Sequence, residues 1–248
     1  MNEVITQLYE RKSVRRFTDQ PISQEEKNLI LNAALQAPTA GNMSMFSILD
    51  IQDEALKARL ADLCDHQPFI RDAPLVLVFL ADFEKWDRLF KNYGLNVPDP
   101  TEADLFLAME DCLIAAQNSV TAAWSMKIGS CYIGDILENF ETIQTLLNLP
   151  KYAVPCTMVV FGHPTVQQME RIKPPRFAIE DLVFTDTYQQ KSDEQIKEMF
   201  KRKHDLDKAE LEEWTRAFSK RKFEADFKAE MDRSVKAILE SWTNPAKQ

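Results

Sequence analysis

Glycine is scarce: the chain of 248 residues has only five, at positions 41, 94, 129, 134 and 162. Neither GxGxxG nor GxxxxGK followed by Ser or Thr can be written with them, which removes the Rossmann fingerprint and the P-loop. A phosphorylated cofactor would have to be held by side-chain cations rather than by a glycine cradle. HExxH and GxSxG are missing too, so a zinc-protease centre and a serine-hydrolase elbow lack their ordinary signatures. Cysteine is limited to Cys64, Cys112, Cys131 and Cys156, with no CxxC pair and no metal-like spacing to the three histidines. These read as reduced, mostly buried thiols of a cytosolic protein, and no metal ligand is expected. The opening MNEVITQLYERK has no apolar core of a signal peptide. The longest apolar run, Pro74 to Ala81, is far shorter than the roughly 20 residues that cross a bilayer. Basic residues are outnumbered 30 to 39, for a net charge of −9, so a nucleic-acid partner is not expected. The expectation is a folded cytoplasmic protein without a membrane partner.

What is present suits an α+β domain. Val4, Ile5 and Leu8 at helical spacing mark a short first helix. Ser23 followed by Glu26 is a capping box opening a second, and Pro38-Thr-Ala-Gly-Asn42 breaks it. Phe46 to Ile51 reads as a strand and Asp53 to Asp65 as a helix. The almost continuous apolar run 74–81 suits a central strand covered on both faces. After a loop-rich stretch, Glu84 to Thr101, comes the longest helix, Glu102 to Met126. Its apolar residues spread beyond one stripe, as in a central or interfacial helix. Ser130 to Ile133 is strand-like, Asp135 to Leu147 helical, and Val154 to Gly162 a further strand. The alternation lacks even βαβ units, so a mixed, mainly antiparallel sheet flanked by helices is expected. From Gln189 on, 14 basic and 13 acidic residues give a weakly apolar, helical pattern. We therefore expect a domain over residues 1–188 and a helical extension over 189–248 that wraps around the domain or another subunit.

Two basic clusters stand out. In Arg11-Lys12-Ser13-Val14-Arg15-Arg16-Phe17, positions 11, 13 and 15 of an extended segment share one side. Two guanidiniums and a hydroxyl could then converge on one anion. On spacing alone the cluster reads slightly better as a solvated basic linker. In Arg171-Ile-Lys173-Pro174-Pro175-Arg176 two prolines hold the backbone extended and fix the separation of Lys173 and Arg176. The bland alternative is a stiff connecting loop with surface charges.

Taken together, these clusters resemble something specific. ERKSVRRFTDQPIS is similar to the RxSxRxF signature that opens flavin-dependent nitroreductases. Ala37-Pro-Thr-Ala-Gly-Asn42, Gly129-Ser-Cys-Tyr-Ile-Gly134 and Val159-Val-Phe-Gly-His-Pro164 before the KPPR segment continue the match in order. The resemblance covers about residues 3 to 190 and is nearest to the oxygen-insensitive NADPH nitroreductase and flavin reductase P type.

The resemblance implies an FMN-binding, domain-exchanged homodimer with each FMN at the subunit interface. Arg11, Lys12, Ser13 and Arg15 would meet the phosphate, ribityl chain and pyrimidine edge. Gln67 would contact flavin from a loop, unless it is a simple loop amide. Tyr132, Ile133 and Gly134 would run beside the ring, Thr39 and Asn42 would border it, and Lys173 and Arg176 would hold the phosphate. Asp135 stands where relatives often carry a second glycine and is expected to cap the next helix. NAD(P)H would donate electrons to FMN in a ping-pong cycle. Nitroaromatics, quinones or free flavin would accept them, and no protein side chain would act as catalyst. His66, His163 and His204 are read as structural. Trp214, Phe218, Phe223 and Phe227 are read as docking residues of the tail. Basic residues there, Arg216, Lys220, Arg221, Lys222 and Arg233, tilt the donor towards NADPH. A flavin-storage protein, a family member with another redox reaction, and a non-enzymatic interaction module stay open as alternatives.

Overall fold

A computed structural model describes residues 1–243, so the last five positions of the expected extension lie outside the described residues. The chain divides into two compact units. One comprises residues 1–171 together with the segment from Glu230 onward, and the other comprises Ile172–Ala229. The units thus change at residues 171 and 229, whereas the sequence pattern set a boundary after residue 188.

The first unit is built on four strands: β1 (Phe46–Ile51), β2 (Leu75–Asp82), β3 (Gly129–Ile133) and β4 (Ala153–Gly162). They lie in the order β1-β2-β4-β3, and every pair is antiparallel, as expected. Around them stand α1 (Glu3–Glu10), α2 (Gln24–Leu35), α3 (Glu54–Leu63), α4 (Pro68–Arg71), α5 (Glu84–Asn92), α6 (Glu102–Ser125), α7 (Phe140–Leu146) and α8 (Val166–Glu170). The unbroken apolar run of β2 has a simple cause. Leu75, Leu77, Phe79 and Ala81 face one buried cluster, while Val76, Val78 and Leu80 face another. Alternate residues of a strand point to opposite sides, so a sheet covered on both faces needs apolar residues at every position. The first cluster is closed by α2 and α6 through Ile30, Ala34, Leu105 and Cys112. The second is closed by α3, α4 and α7 through Leu60, Ile70 and Ile143. At the start of α2, Ser23 Oγ accepts from the Glu26 N–H and Glu26 Oε2 accepts from the Ser23 N–H, the reciprocal cap expected there.

The segment after α1 fastens the β3–β4 end of the sheet. Ser13 bridges Ser130 in parallel and Phe17 bridges Pro164 in antiparallel fashion. The Val14 N–H donates to Ser130 O at 2.9 Å and the Thr18 N–H to His163 O at 2.8 Å. Beneath it lie Gly129 and Gly162, which face each other across β3 and β4. A Cβ at Gly129 would sit 2.6 Å from Val14 Cγ2, and one at Gly162 would sit 2.6 Å from the Phe17 ring. Only a residue without a side chain permits this approach.

The helix expected over 135–147 is interrupted. A 3-10 turn, Asp135–Leu137, gives way to Asn139 at φ 50° before α7 begins. The cause is tertiary: the Asn139 N–H donates to Glu230 and its Nδ2 to Leu63 O. The same contacts receive the last helix, α12 (Asp226–Thr243), over its residues from Glu230 on. There Arg233 pairs with Glu141 and Glu230, and its two bonds to Glu230 hold that carboxyl down at about 2. Ser234 Oγ accepts from the Phe140 N–H. Trp242 is fully buried edge-on to Tyr152 and donates to Thr101 O at 2.9 Å.

The second unit opens with the proline-rich segment, then α9 (Ile179–Leu182), α10 (Asp193–His204) and α11 (Lys208–Lys222). Trp214 and Phe218, read from the sequence as docking residues of the tail, stack on each other at 5.0 Å. Phe200, His204 and Phe177 extend the same aromatic cluster within this unit. No described helix is long and apolar enough to cross a membrane.

Two outcomes follow from this packing. Gly129→Ala or Gly162→Ala should lower stability by about 1–3 kcal/mol through overpacking, and Val14→Ala should relieve much of the Gly129→Ala defect in thermal melts. Glu138 is 4% exposed, and burial, then Asp135, Asp65 and Glu230, push its carboxyl up to about 7. Its folded value lies above its unfolded one, so the protonated form favours folding. Its contribution is complete at low pH and is lost as pH rises from about 4.5 to about 7. The melting temperature of Glu138→Gln should therefore gain on the native chain across that interval.

Candidate functional site

The strap that crosses β3 and β4 arranges its side chains by strand alternation. Lys12 and Val14 are buried, whereas Arg11 and Ser13 are partly exposed and Arg15 is exposed. Arg11, Ser13 and Arg15 therefore share the outer side, as read from their spacing. Lys12 goes the other way. Its Nζ donates to the carbonyl oxygens of Met169 and Arg171, both at 2.5 Å. The expected cofactor contact at Lys12 is thus replaced by a buried tie to α8, because positions 12 and 14 of the strap face inward.

The outer residues gather beside β3. Burial raises the Cys131 thiol, and Arg15, Ser13 and Arg11 oppose that shift, so all three lie close to it. Burial likewise raises Tyr132 against the opposing pull of Arg11. The Tyr132 hydroxyl reaches Gln117 Oε1 of α6 at 3.3 Å. The Ile133 side chain is buried in the second cluster, leaving its backbone for any contact, and Gly134 is exposed.

Next to the strap opens a cleft of about 710 Å³ walled by Arg15, Arg16, Pro68, Phe69, Gln167, Gln168, Glu170 and Arg171. The Arg15 guanidinium stands over the Phe69 ring at 5.9 Å. Its backbone N–H donates to the buried Gln168 Oε1 at 3.1 Å. Arg171 Nη2 donates to Ser13 O at 2.9 Å, which fixes the strap from the α8 side. A second cleft, of about 530 Å³ between α7 and α12, carries none of the expected residues.

Two loops of the first unit carry the remaining candidates. Thr39 and Asn42 belong to the turn after α2, where Gly41, Asn42 and Ser44 all adopt positive φ. Thr39 Oγ1 accepts from the Ser44 N–H at 3.1 Å. This loop is held by Asp111, 2% exposed on α6, whose two oxygens accept from the N–H groups of Ala40 at 2.8 Å and Met45 at 3.0 Å. Gln67 immediately precedes Pro68 and Phe69 of the cleft wall. Its Nε2 donates to Cys64 O at 2.8 Å and to Asp135 Oδ2. Asp135 is therefore not the cap expected of it: Gly134 occupies the cap position, with no side-chain cap bond. Lys173 and Arg176 lie in the second unit, where Arg176 Nη1 donates to Pro174 O at 2.7 Å.

The sequence pattern did not single out Asp111, Phe69 or Gln168, and Arg171 stood out there only as the start of the second basic cluster. Asp111 alone left a clear signal, a single carboxylate among Ala108, Cys112 and Ala115 on the buried side of α6. As for the histidines, His66 is exposed and His204 packs against Trp214. His163 follows β4, 3.7 Å from Glu26.

The arrangement can bind an anion with an extended body: cations and a hydroxyl at one side, an aromatic wall, and an amide from the opposite loop. Comparison with known proteins agrees. Residues 8–163 match the model of the nitroreductase family. The chain is 32% identical over 182 residues to an FMN reductase (NAD(P)H) of Bacillus subtilis, covering 72% of this chain and 73% of that protein. It is 31% identical over 189 residues to the oxygen-insensitive NADPH nitroreductase of Salmonella typhimurium, covering 76% of each. Among solved structures, the hypothetical oxidoreductase YcnD of Bacillus subtilis superposes with a TM-score of 0.81 at 26% identity, over 100% of both chains. With residues 8–163 matching the family model and two relatives above 30% identity aligned over more than two thirds of its length, the chain belongs to the nitroreductase family.

Proposed function

We propose that this protein is an FMN-dependent oxidoreductase that takes electrons from NAD(P)H and passes them to a nitroaromatic, a quinone or a free flavin. The observation that carries the reading is the set of Arg11, Ser13 and Arg15 on one side of a rigid strap beside the cleft. That donor set fits FMN, whose phosphate and pyrimidine carbonyls are acceptors. The names of the relatives described above support the same cofactor and donor.

When bound, FMN supplies the redox chemistry by accepting and releasing a hydride. The protein's own contribution is binding, orientation and charge. Arg11 and Arg15 offer planar forks that meet paired oxygens. Fixed cations at the pyrimidine edge favour negative charge there. In this reading the backbone of Tyr132, Ile133 and Gly134 would run along one side of the flavin, and the Asp111-held loop with Thr39 and Asn42 would border another. Lys173 and Arg176 are assigned to the phosphate on the strength of the resemblance and of the backbone stiffness that Pro174 and Pro175 impose. No side chain is asked to act as acid or base. The donor and the acceptor use the same cleft in turn.

A second copy of the chain completes the site in this reading. Val4 and Leu8 of α1 are 58% and 45% exposed, and Phe106, Leu113 and Ile114 of α6 are 63%, 46% and 41% exposed. Adjacent apolar faces of this kind mark an interface. Tyr132, bonded to Gln117 on α6, ties β3 beside the strap to that same helix.

Purified protein should be yellow, and NADPH added without oxygen should bleach the flavin bands. A colourless preparation that takes up no added FMN would reject the assignment. Arg15→Ala should weaken FMN binding by about ten- to a hundredfold, the worth of a charge-assisted bond, as read by fluorescence titration. Lys173→Ala combined with Arg176→Ala should make FMN retention strongly salt-sensitive on desalting columns. Leu113→Asp with Ile114→Asp should convert a dimer to a monomer in sedimentation velocity and release the flavin with it.

A further inference from the structure

Gln67 is held at every polar atom but one. Two left-handed residues, Asp65 at φ 59° and His66 at φ 51°, turn the chain after α3. The Gln67 N–H donates to Ala61 O at 3.0 Å, and Gln67 O accepts from the Ile70 N–H at 3.1 Å. A primary amide has two N–H donors and one oxygen acceptor. Here both donors are engaged, one by Cys64 O and one by Asp135 Oδ2. Rotating the amide by half a turn would set its oxygen against a carbonyl and a carboxylate, with no proton between them. The chemistry of the two acceptors therefore fixes the orientation, independently of how nitrogen and oxygen are assigned.

Asp135 is as firmly placed. The Glu138 N–H donates to Asp135 O at 3.0 Å, and the Leu137 N–H to Gly134 O at 3.1 Å, closing the turn that follows β3. Asp135 thus stands at the end of the strand that the strap crosses, and Gln67 stands at the start of the cleft wall.

We propose that Asp135 is a positioning residue: it turns both amide protons of Gln67 towards the protein, so that Gln67 meets FMN as a hydrogen-bond acceptor through Oε1. This deepens the FMN reading and rests on it. The oxidised isoalloxazine carries a single ring N–H, at its pyrimidine edge between two carbonyls. An amide free to turn could pair with that N–H or with either carbonyl; an amide locked by Asp135 pairs with the N–H alone. The chain thereby selects one lateral position of the ring in the cleft. It also recognises the pyrimidine edge itself, which a phosphate grip cannot do.

The test is a double-variant cycle on the full chain, read by FMN fluorescence titration, with thermal melts of each apo-protein as the folding control. Gln67→Glu sets a carboxylate against Asp135 and should weaken binding by about tenfold or more. Asp135→Asn can still accept from Gln67 through Oδ1 and should bind within about threefold of the native chain. In the combined variant the new asparagine amide can donate to the new glutamate, leaving one glutamate oxygen to accept. Affinity should then recover by about threefold or more over Gln67→Glu, short of native because Cys64 O still faces a glutamate oxygen, a coupling that two independent defects would not show. Native-like binding by Gln67→Glu alone, or a combined variant as weak as Gln67→Glu, would overturn the proposal while leaving FMN binding by the native chain intact. Failure of the native chain itself to bind FMN would overturn both readings together. The shift of the flavin midpoint potential in Gln67→Glu, and its reversal in the combined variant, gives a second readout that a purely structural role of Asp135 would not produce.

Discussion

The site depends on a close approach between two backbones. Val14 and Phe17 press onto Gly129 and Gly162, and those glycines face each other across neighbouring strands. Any side chain there would push the strap off the sheet. Because the strap is seated at Val14, its alternation is fixed: Lys12 and Val14 go in, and Arg11, Ser13 and Arg15 stay on the outer side. A chain with five glycines places two of them here, where phosphate binding by a glycine loop would have used them differently. The cations that replace such a loop are oriented by the same contact.

Several charges close to the cleft serve the protein rather than a ligand. Lys12 and Arg171 donate to backbone carbonyls and lock α8 to the strap. Asp111, buried in α6, accepts two backbone N–H groups and shapes the turn that carries Thr39 and Asn42. A buried charge is tolerated when such bonds replace its water. These commitments keep the strap, the turn and β3 in fixed relation, so that the ligand-facing groups meet a formed surface and lose little freedom on binding.

Much of this was legible in the residues themselves. Strand boundaries followed the apolar runs closely, since a sheet covered on both faces leaves no ambiguity in β2 and β4. The Ser23 cap and the 11-13-15 alternation were local signals and were found as local structure. What escaped was decided by distant partners. Asn139 breaks a helical pattern because Glu230, ninety-one residues later, takes its N–H. Asp135 has the composition of a cap but bonds Gln67 across the fold. Lys12 looks like its basic neighbours, and only the buried carbonyls of Met169 and Arg171 distinguish it. The pattern of the tail showed helices but not that Trp242 belongs to the core of the first unit.

That last placement bears on biogenesis. Trp242 and Ile238 fill the same buried cluster as Ile30, Phe79 and Leu105, so a nascent chain reaching residue 171 has all four strands and still lacks one wall of its interior. The apolar face beside Tyr152 stays open to water until the final helix has been synthesised and has swung back. That cluster is therefore completed only once α12 has been made, and chaperone protection would matter most during the interval in which residues 172–229 are being made.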